Sequence, residues 1–309
     1  MFDIVIVGAG TAGMTAAIYG RRAGKNVLLL EEGIYGGQIV NTPEVENYPG
    51  IQNIAGFQFA MNLYEQATGL GAELETGKVI DIQKQSPEAS SQSFFRVQTE
   101  EAIFEGRTVI LATGAKNRKL GLEQEEALTG KGVSYCAACD GAFYKDKSVA
   151  VVGGGNTALG DAEYLSNICK QVFLIHRREE FRGDAGLAEQ LEKKENVILI
   201  RNAVVTELVG TDCLEQIRLE DVRTKETKRL TIDGLFVAVG QTPENQVFRN
   251  LVQLDEGGYV VAGEDCRTHT AGVFVAGDCR TKSVRQLTTA AADGAVAALA
   301  AVDYLNAGK

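Results

Sequence analysis

Cys136 and Cys139 stand three residues apart in the stretch SYCAACDGAFY (134–144), and Asp140 follows at once. Cysteines at this spacing support three chemistries: half of a zinc site, a structural disulfide, or a dithiol that opens and closes on each turnover. A structural zinc takes four ligands, usually from two such pairs. This chain has one C-x-x-C, with Cys169, Cys213, Cys266 and Cys279 scattered and only two histidines, so no metal is expected. A redox dithiol fits better than a structural bridge. If the segment starts a helix, positions three apart share a face and their sulfurs can reach each other. A helix N-terminus would also favour the thiolate. Asp140 is then a carboxylic acid close enough to exchange a proton with the departing thiolate, or an ordinary turn or capping residue.

The elements that must position these residues follow a repeated plan. FDIVIVGAGTAGMTAAIYGRRAG opens the chain with an apolar β-branched run, Asp3–Val7, suited to a buried parallel strand. It ends in the G-x-G-x-x-G loop of Gly8, Gly10 and Gly13 and predicts a helix over Ala12–Ala23, stopped by Gly24. Such a loop lets the backbone approach a pyrophosphate and packs helix closely on strand, with free helix N–H groups facing the phosphates. A second strand, Asn26–Leu30, ends at Glu31, a carboxylate placed for a ribose diol. The second unit repeats this: strand Ser148–Val152, glycines Gly153, Gly154 and Gly155, then Asn156, Thr157 and a helix from Ala158 to about Leu165. Its next strand, Gln171–Ile175, ends in HRREEFR. The interval from Gly153 to His176 equals that from Gly8 to Glu31, so His176 and Arg177 replace the acid. Glu31 would repel a 2′-phosphate, whereas Arg177, Arg178 and Arg182 would bind one. The first unit therefore reads as a site for a dinucleotide without a 2′-phosphate and the second as a site for NADPH.

A strand-rich stretch precedes the closing strand of each unit: FFRVQT and AIFEG before TVILATGAK, then CLEQIRLEDV and KRLTID before GLFVAVGQTPEN. The expected fold is α/β, with two Rossmann-like three-layer dinucleotide-binding domains, each with an inserted antiparallel β-meander. The tail THTAGVFVAGDCRT and the helix Gln286–Leu305 belong with the first unit, giving a discontinuous domain of 1–116 plus 247–309 around an insert of 117–246. A nicotinamide delivers a hydride and a disulfide accepts two electrons; a flavin is the usual intermediary. The acid-ended first unit and the late Gly277-Asp278 point to FAD. The net charge of −10 argues against a nucleic-acid surface. MFDIVIVG does not read as a secretory signal, and no apolar run reaches membrane-span length, so a cytoplasmic protein without membrane association is expected.

GGQIVNTPEVENYPG, CAACDG, GGGNTA, HRREEFR and GVFVAGD, in this order across essentially the whole chain, resemble the low-molecular-weight thioredoxin reductases. The resemblance implies a homodimeric FAD enzyme that passes electrons from NADPH through flavin to a dithiol and then to thioredoxin, with rotation of one domain between half-reactions. By motif position, Cys139 is the sulfur nearest the flavin, Cys136 attacks the thioredoxin disulfide and Asp140 is the acid/base. Gly36, Gly37, Gln38 and Asn47, with Asp278, Arg285 and Gln286, are implied FAD contacts. The chain departs from the pattern at Gly160-Asp161, where the family usually carries an acidic pair, a place bearing on the nicotinamide pocket or the interdomain contact. It also has Thr11 for the usual Pro. The competing readings are a ferredoxin-fed or oxidase-type dithiol flavoenzyme, which would have little need for HRREEFR, and a non-enzymatic redox-sensing flavoprotein.

Overall fold

The computed structural model describes residues 1–86 and 93–308, and these form two compact units, Met1–Lys116 with Thr242–Lys309, and Asn117–Gln241. Residues 242–246, placed by sequence in the insert, pack with the first unit. The reason is Asn245, whose buried side-chain amide donates to the carbonyls of Gly258 and Cys279 and whose oxygen accepts from the Thr113 hydroxyl.

Unit 1 begins with β1 (Phe2–Val7), α1 (Thr11–Arg22), β2 (Val27–Glu31), α2 (Gly56–Gly69), β3 (Glu73–Thr76), β4 (Val79–Gln85), β5 (Phe94–Thr99) and β6 (Ile103–Leu111). The sheet order is β3-β2-β1-β6-β5-β4. β1 pairs in parallel with β2 (Ile4 opposite Val27) and with β6 (Ile4 opposite Thr108). AIFEG and TVIL, read separately from sequence, are one strand. The first half of β6 pairs antiparallel with β5 and its second half completes the parallel core, so this meander continues the main sheet rather than standing apart. Ile4, Ile6 and Leu29 form one apolar face beneath α1, and Val5, Leu28 and Leu30 the other, which is why these strands are continuously hydrophobic.

Unit 2 contains β7 (Val133–Ser134), α3 (Ala137–Asp140), β8 (Ser148–Val152), α4 (Asn156–Ser166), β9 (Gln171–His176), α5 (Ala185–Glu192), β10 (Val197–Arg201), β11 (Ala203–Val209), β12 (Gln216–Asp221), β13 (Thr227–Thr231) and β14 (Gly234–Val237). Its parallel sheet runs β10-β9-β8-β14-β7, and β11-β12-β13 form a separate antiparallel sheet. The two sheets share one apolar cluster, which includes Val152, Ile175, Leu208, Ile217 and Leu235. The chain returns to unit 1 with β15 (Val273–Val275), paired with β6, and α6 (Leu287–Asn306), whose small residues lie close against α1. Among the described residues no helix is long and apolar enough to cross a membrane.

Candidate active site

In unit 2 the chain leaves β7 at Ser134 and turns directly into α3. Cys136 caps that turn in an extended conformation, and its carbonyl accepts from the backbone N–H groups of Cys139 and Asp140. The two cysteines therefore share a face, with Cα atoms 5.3 Å apart, and are disulfide-bonded. α3 is a single turn that tightens into the 3-10 turn Gly141–Tyr144, so the helix macrodipole expected from sequence offers the thiolate little support. Asp140 is largely buried; burial pushes its carboxyl above the ordinary 3.8, and a hydrogen bond from the Ser134 hydroxyl partly opposes this. The acid thus has reason to carry a proton nearer to neutrality than a solvated aspartate would.

The glycine loop of the same unit lies between β8 and α4. A Cβ on Gly153 would run into the carbonyl of Ala238, and one on Gly154 into the ring of His176. His176 is buried, stacks on Phe181 and donates from Nε2 to the carbonyl of Glu180 at 3.0 Å. Burial lowers its pKa, the hydrogen bond opposes this, and Arg182, Arg177 and Arg178 lower it further. His176 is therefore a neutral prop beneath the loop. Arg177, Arg178 and Arg182 are exposed, and the Arg182 backbone is tied to the Gly154 carbonyl at 2.7 Å. α4 opens at Gly155 without a side-chain cap among the described residues. Asn156 accepts from the Asp184 N–H at 2.7 Å, while Thr157 is exposed.

In unit 1, Gly8 has φ +104°, and a Cβ there would strike the Ala112 carbonyl. Gly13 leaves room for the Gly8 carbonyl, and α1 starts at Gly10 without a side-chain cap among the described residues. Gly36 donates to the Ala9 carbonyl at 2.8 Å and bridges Gly10, so Gly36-Gly37 forms the second wall of the loop. Glu31 accepts from Ala9 N–H at 2.8 Å and Gly33 N–H at 3.0 Å, which fixes its carboxylate at the end of β2. Gln38 donates to the Ala115 carbonyl, and Asn47 to Gln286 at 3.3 Å. Gln286 also forms a capping box with Thr289 at the start of α6. Arg285 lies 4.2 Å over the Tyr259 ring and donates to the Asp278 carbonyl. Asp278 Oδ1 is buried with no hydrogen-bond partner among the described residues. Burial raises its pKa, against Lys282 and Arg285, which lower it. An orphaned buried acceptor beside an uncapped, glycine-walled helix start fits the hydroxyls and pyrophosphate of a dinucleotide.

The family model for the pyridine nucleotide-disulphide oxidoreductases matches residues 2–294. The chain belongs to that family. Among its relatives are thioredoxin reductases of Mycoplasma genitalium, 42% identical over 97% of this chain and 94% of the relative, and of Listeria monocytogenes, 40% identical over 99% and 94%. The crystal structure of a thioredoxin reductase from Streptococcus pyogenes superposes with a TM-score of 0.93, at 39% identity and 99% coverage of both chains.

Several side chains around this oxidoreductase's sites were not legible as such in the sequence. Ser134 touches both Asp140 and Cys136. Asp293 accepts from Gly277 N–H at 3.0 Å and from Arg280 and Lys282, beneath the Asp278 turn. Cys169, Cys266 and Cys279 are buried as packing residues, whereas Cys213 is exposed. At the departure from the family pattern, a Cβ on Gly160 would meet nothing within 4 Å, while Asp161 is desolvated and its pKa rises from 3.8 to about 6. The folded state thus holds this proton more tightly than the unfolded one. Stability from the protonated form is complete below about pH 4 and lost by about pH 6, so at neutral pH the charge costs up to about 3 kcal/mol. Asp161→Asn should melt several degrees above the wild type at pH 7.5, and the gap should close at pH 4; a gap independent of pH would contradict the assignment.

Proposed function

We propose that this protein is an NADPH-dependent thioredoxin reductase, a cytoplasmic homodimeric FAD enzyme whose final electron carrier is the Cys136–Cys139 pair. The observation that carries the reading is the Cys136–Cys139 disulfide with the half-buried Asp140 beside it, in the unit whose glycine loop is tied to a segment carrying three exposed arginines. Near-40% identity along the whole chain to enzymes named thioredoxin reductases supports it. Bound FAD would supply the two-electron step between a reduced nicotinamide and a disulfide.

In unit 1, Gly8, Gly10, Gly13 and the start of α1 would take the FAD pyrophosphate, and Glu31 the adenosine ribose. Asp278 offers an acceptor to the hydroxyl-bearing chain, while Gly36, Gly37, Gln38, Asn47, Arg285 and Gln286 shape the remaining wall. In unit 2, Gly153, Gly155, Asn156 and Thr157 would receive the NADPH pyrophosphate. Arg177, Arg178 and Arg182 would receive its 2′-phosphate, and His176 holds their loop in place. Once reduced, Cys136 attacks the thioredoxin disulfide, Cys139 then attacks Cys136 and re-forms the internal bond, and Asp140 exchanges protons with the sulfurs. The rotation between half-reactions is part of the proposal.

Anaerobic titration with NADPH and, separately, NADH tests the reading through the flavin spectrum. Bleaching by low NADPH, with thioredoxin reduction lost and flavin reduction kept in Cys136→Ser, is the expected result. Flavin that neither nucleotide reduces would favour a ferredoxin-fed or oxidase-type enzyme instead.

A further inference from the structure

The dithiol chemistry requires Asp140 to exist both with and without its proton. When the Cys136–Cys139 dithiol reduces a substrate disulfide, Cys136 Sγ bonds to one substrate sulfur as the substrate S–S bond breaks. The expelled sulfur leaves with an electron pair and takes up a proton. Cys139 Sγ then attacks Cys136 Sγ, re-forming their disulfide and expelling the second substrate sulfur, which is protonated in turn. Two electrons and two protons have moved from the enzyme's dithiol to the substrate's. An acid/base that carries those protons one at a time passes through both states within each turnover.

A half-desolvated carboxyl that alternates in this way needs a neighbour that satisfies it in both states, because an unpaired buried polar group is costly. The Ser134 Oγ lies 2.6 Å from Asp140 Oδ2, 3.1 Å from the Cys136 N–H donor and 3.4 Å from the Cys136 carbonyl oxygen. A hydroxyl has one proton and two lone pairs. One lone pair accepts the Cys136 N–H throughout. With Asp140 ionised, the serine proton points to Oδ2. With Asp140 protonated, Oδ2 donates to the serine's second lone pair, and the serine proton turns to the Cys136 carbonyl. Neither state leaves a donor or acceptor stranded.

The serine itself is fixed. It is buried, and its backbone pairs in the parallel sheet opposite Phe236. The preceding loop is held by the fully buried Glu125, which accepts N–H groups of Leu120, Gly121 and Leu122 and the hydroxyl of Tyr135, the residue before Cys136. On the following turn Tyr144 is held above its ordinary range, first by burial and then by the charge of Asp140. α4, packed on α3, carries Asp161 and Tyr164, and Tyr135 is engaged by Glu125.

We propose that Ser134 is a positioning residue of the redox centre, holding Asp140 beside the dithiol in both protonation states and coupling it to the Cys136 backbone. The assignment rests on the disulfide-reductase reading above. Two measurements on the holoenzyme test it. In the first, the prereduced enzyme is mixed with thioredoxin disulfide in stopped flow between pH 5.5 and 9. Ser134→Ala should slow reoxidation about tenfold, Ser134→Thr about threefold or less, and Asp140→Asn about 100-fold. In the Asp140→Asn background Ser134→Ala should add no further loss, since the serine acts through the acid. In the second, the carboxyl band of Asp140 is titrated by infrared difference spectroscopy against Asp140→Asn. Losing the serine's hydrogen bond should move that titration to higher pH in Ser134→Ala, and Ser134→Thr should restore it. An unmoved titration, or an equal slowing in both backgrounds, overturns the assignment. A wild type that fails to reduce thioredoxin would instead sink the proposed function, and the infrared titration would still decide the role of Ser134.

Discussion

Asp293→Ala should lower the stability of the protein by about 3–5 kcal/mol and release most of its flavin. Asp293 is 5% exposed; its two oxygens clasp Arg280, itself 1% exposed, at 2.8 and 2.9 Å, and Oδ2 also takes Lys282 at 2.9 Å. The same oxygen accepts Gly277 N–H at 3.0 Å, directly before Asp278. Burial pushes the Asp293 carboxyl up, but hydrogen bonds from Arg280 and Lys282 outweigh it and hold the group below the usual carboxylate range. Truncation leaves two cations buried around an absent anion; the outer partner of Arg280, Glu264, is too exposed to replace it. The Gly277 turn also loses its anchor, and with it the placement of the orphaned Asp278 oxygen.

Thermal unfolding, followed with flavin fluorescence, should show a midpoint about 10 °C lower for Asp293→Ala. Asp293→Asn, which keeps an acceptor for Gly277 but not the charge, should fall between that and the wild type. Because the folded pKa of Asp293 is depressed, its contribution is present at neutral pH and is lost as pH falls below the ordinary carboxylate value. Flavin release on acidification should therefore be a property of the wild type that Asp293→Asn loses. An Ala variant melting within about 1 °C of the wild type, with its flavin bound, would show that the cluster is not what holds the turn.

The features legible in the sequence were those written in local periodicity. The β-branched runs before Gly8 and Gly153, the small residues after them and the matched interval to Glu31 and His176 specify strand, turn, helix and strand without tertiary information. What the sequence could not show were contacts made by folding distant backbone together. His176 beside three arginines reads as one more basic group, yet its backbone position at the end of β9 points the ring under Gly154, where burial decides its charge. Ser134 meets Asp140 only because an edge strand turns without a linker into a one-turn helix. Arg280 and Lys282 look like surface cations of a polar loop until α6 brings Asp293 between them. The way the meander of unit 1 joins the main sheet was not legible either, because AIFEG and TVIL are polar and apolar halves of one strand, each matched to a different neighbour.

Replacing Arg177 and Arg182 together by Ala should raise the KM for NADPH at least about 100-fold while leaving that for NADH within about threefold, since each charge-assisted phosphate contact contributes roughly 1.5–3 kcal/mol. Of the two acids of HRREEFR, Glu179 is drawn away by Arg223 at 2.7 Å and Asn202 at 2.8 Å, which leaves three arginines against the one carboxylate of Glu180. Arg177, Arg178 and Arg182 are left exposed on a loop whose backbone is tied to the nucleotide-loop carbonyl of Gly154, so a 2′-phosphate would find them already placed. Their exposure also makes the NADPH preference salt-dependent, shrinking as ionic strength rises in the wild type but not in the double variant. His176→Ala separates this electrostatic role from loop support. It removes the prop beneath Gly154 and should weaken NADPH and NADH alike, because both carry the pyrophosphate that this loop is proposed to receive. Steady-state kcat/KM for the two nucleotides, compared across these variants, reads the difference. A ratio of NADPH to NADH that stays unchanged in the Arg177→Ala, Arg182→Ala variant would assign the 2′-phosphate to other residues.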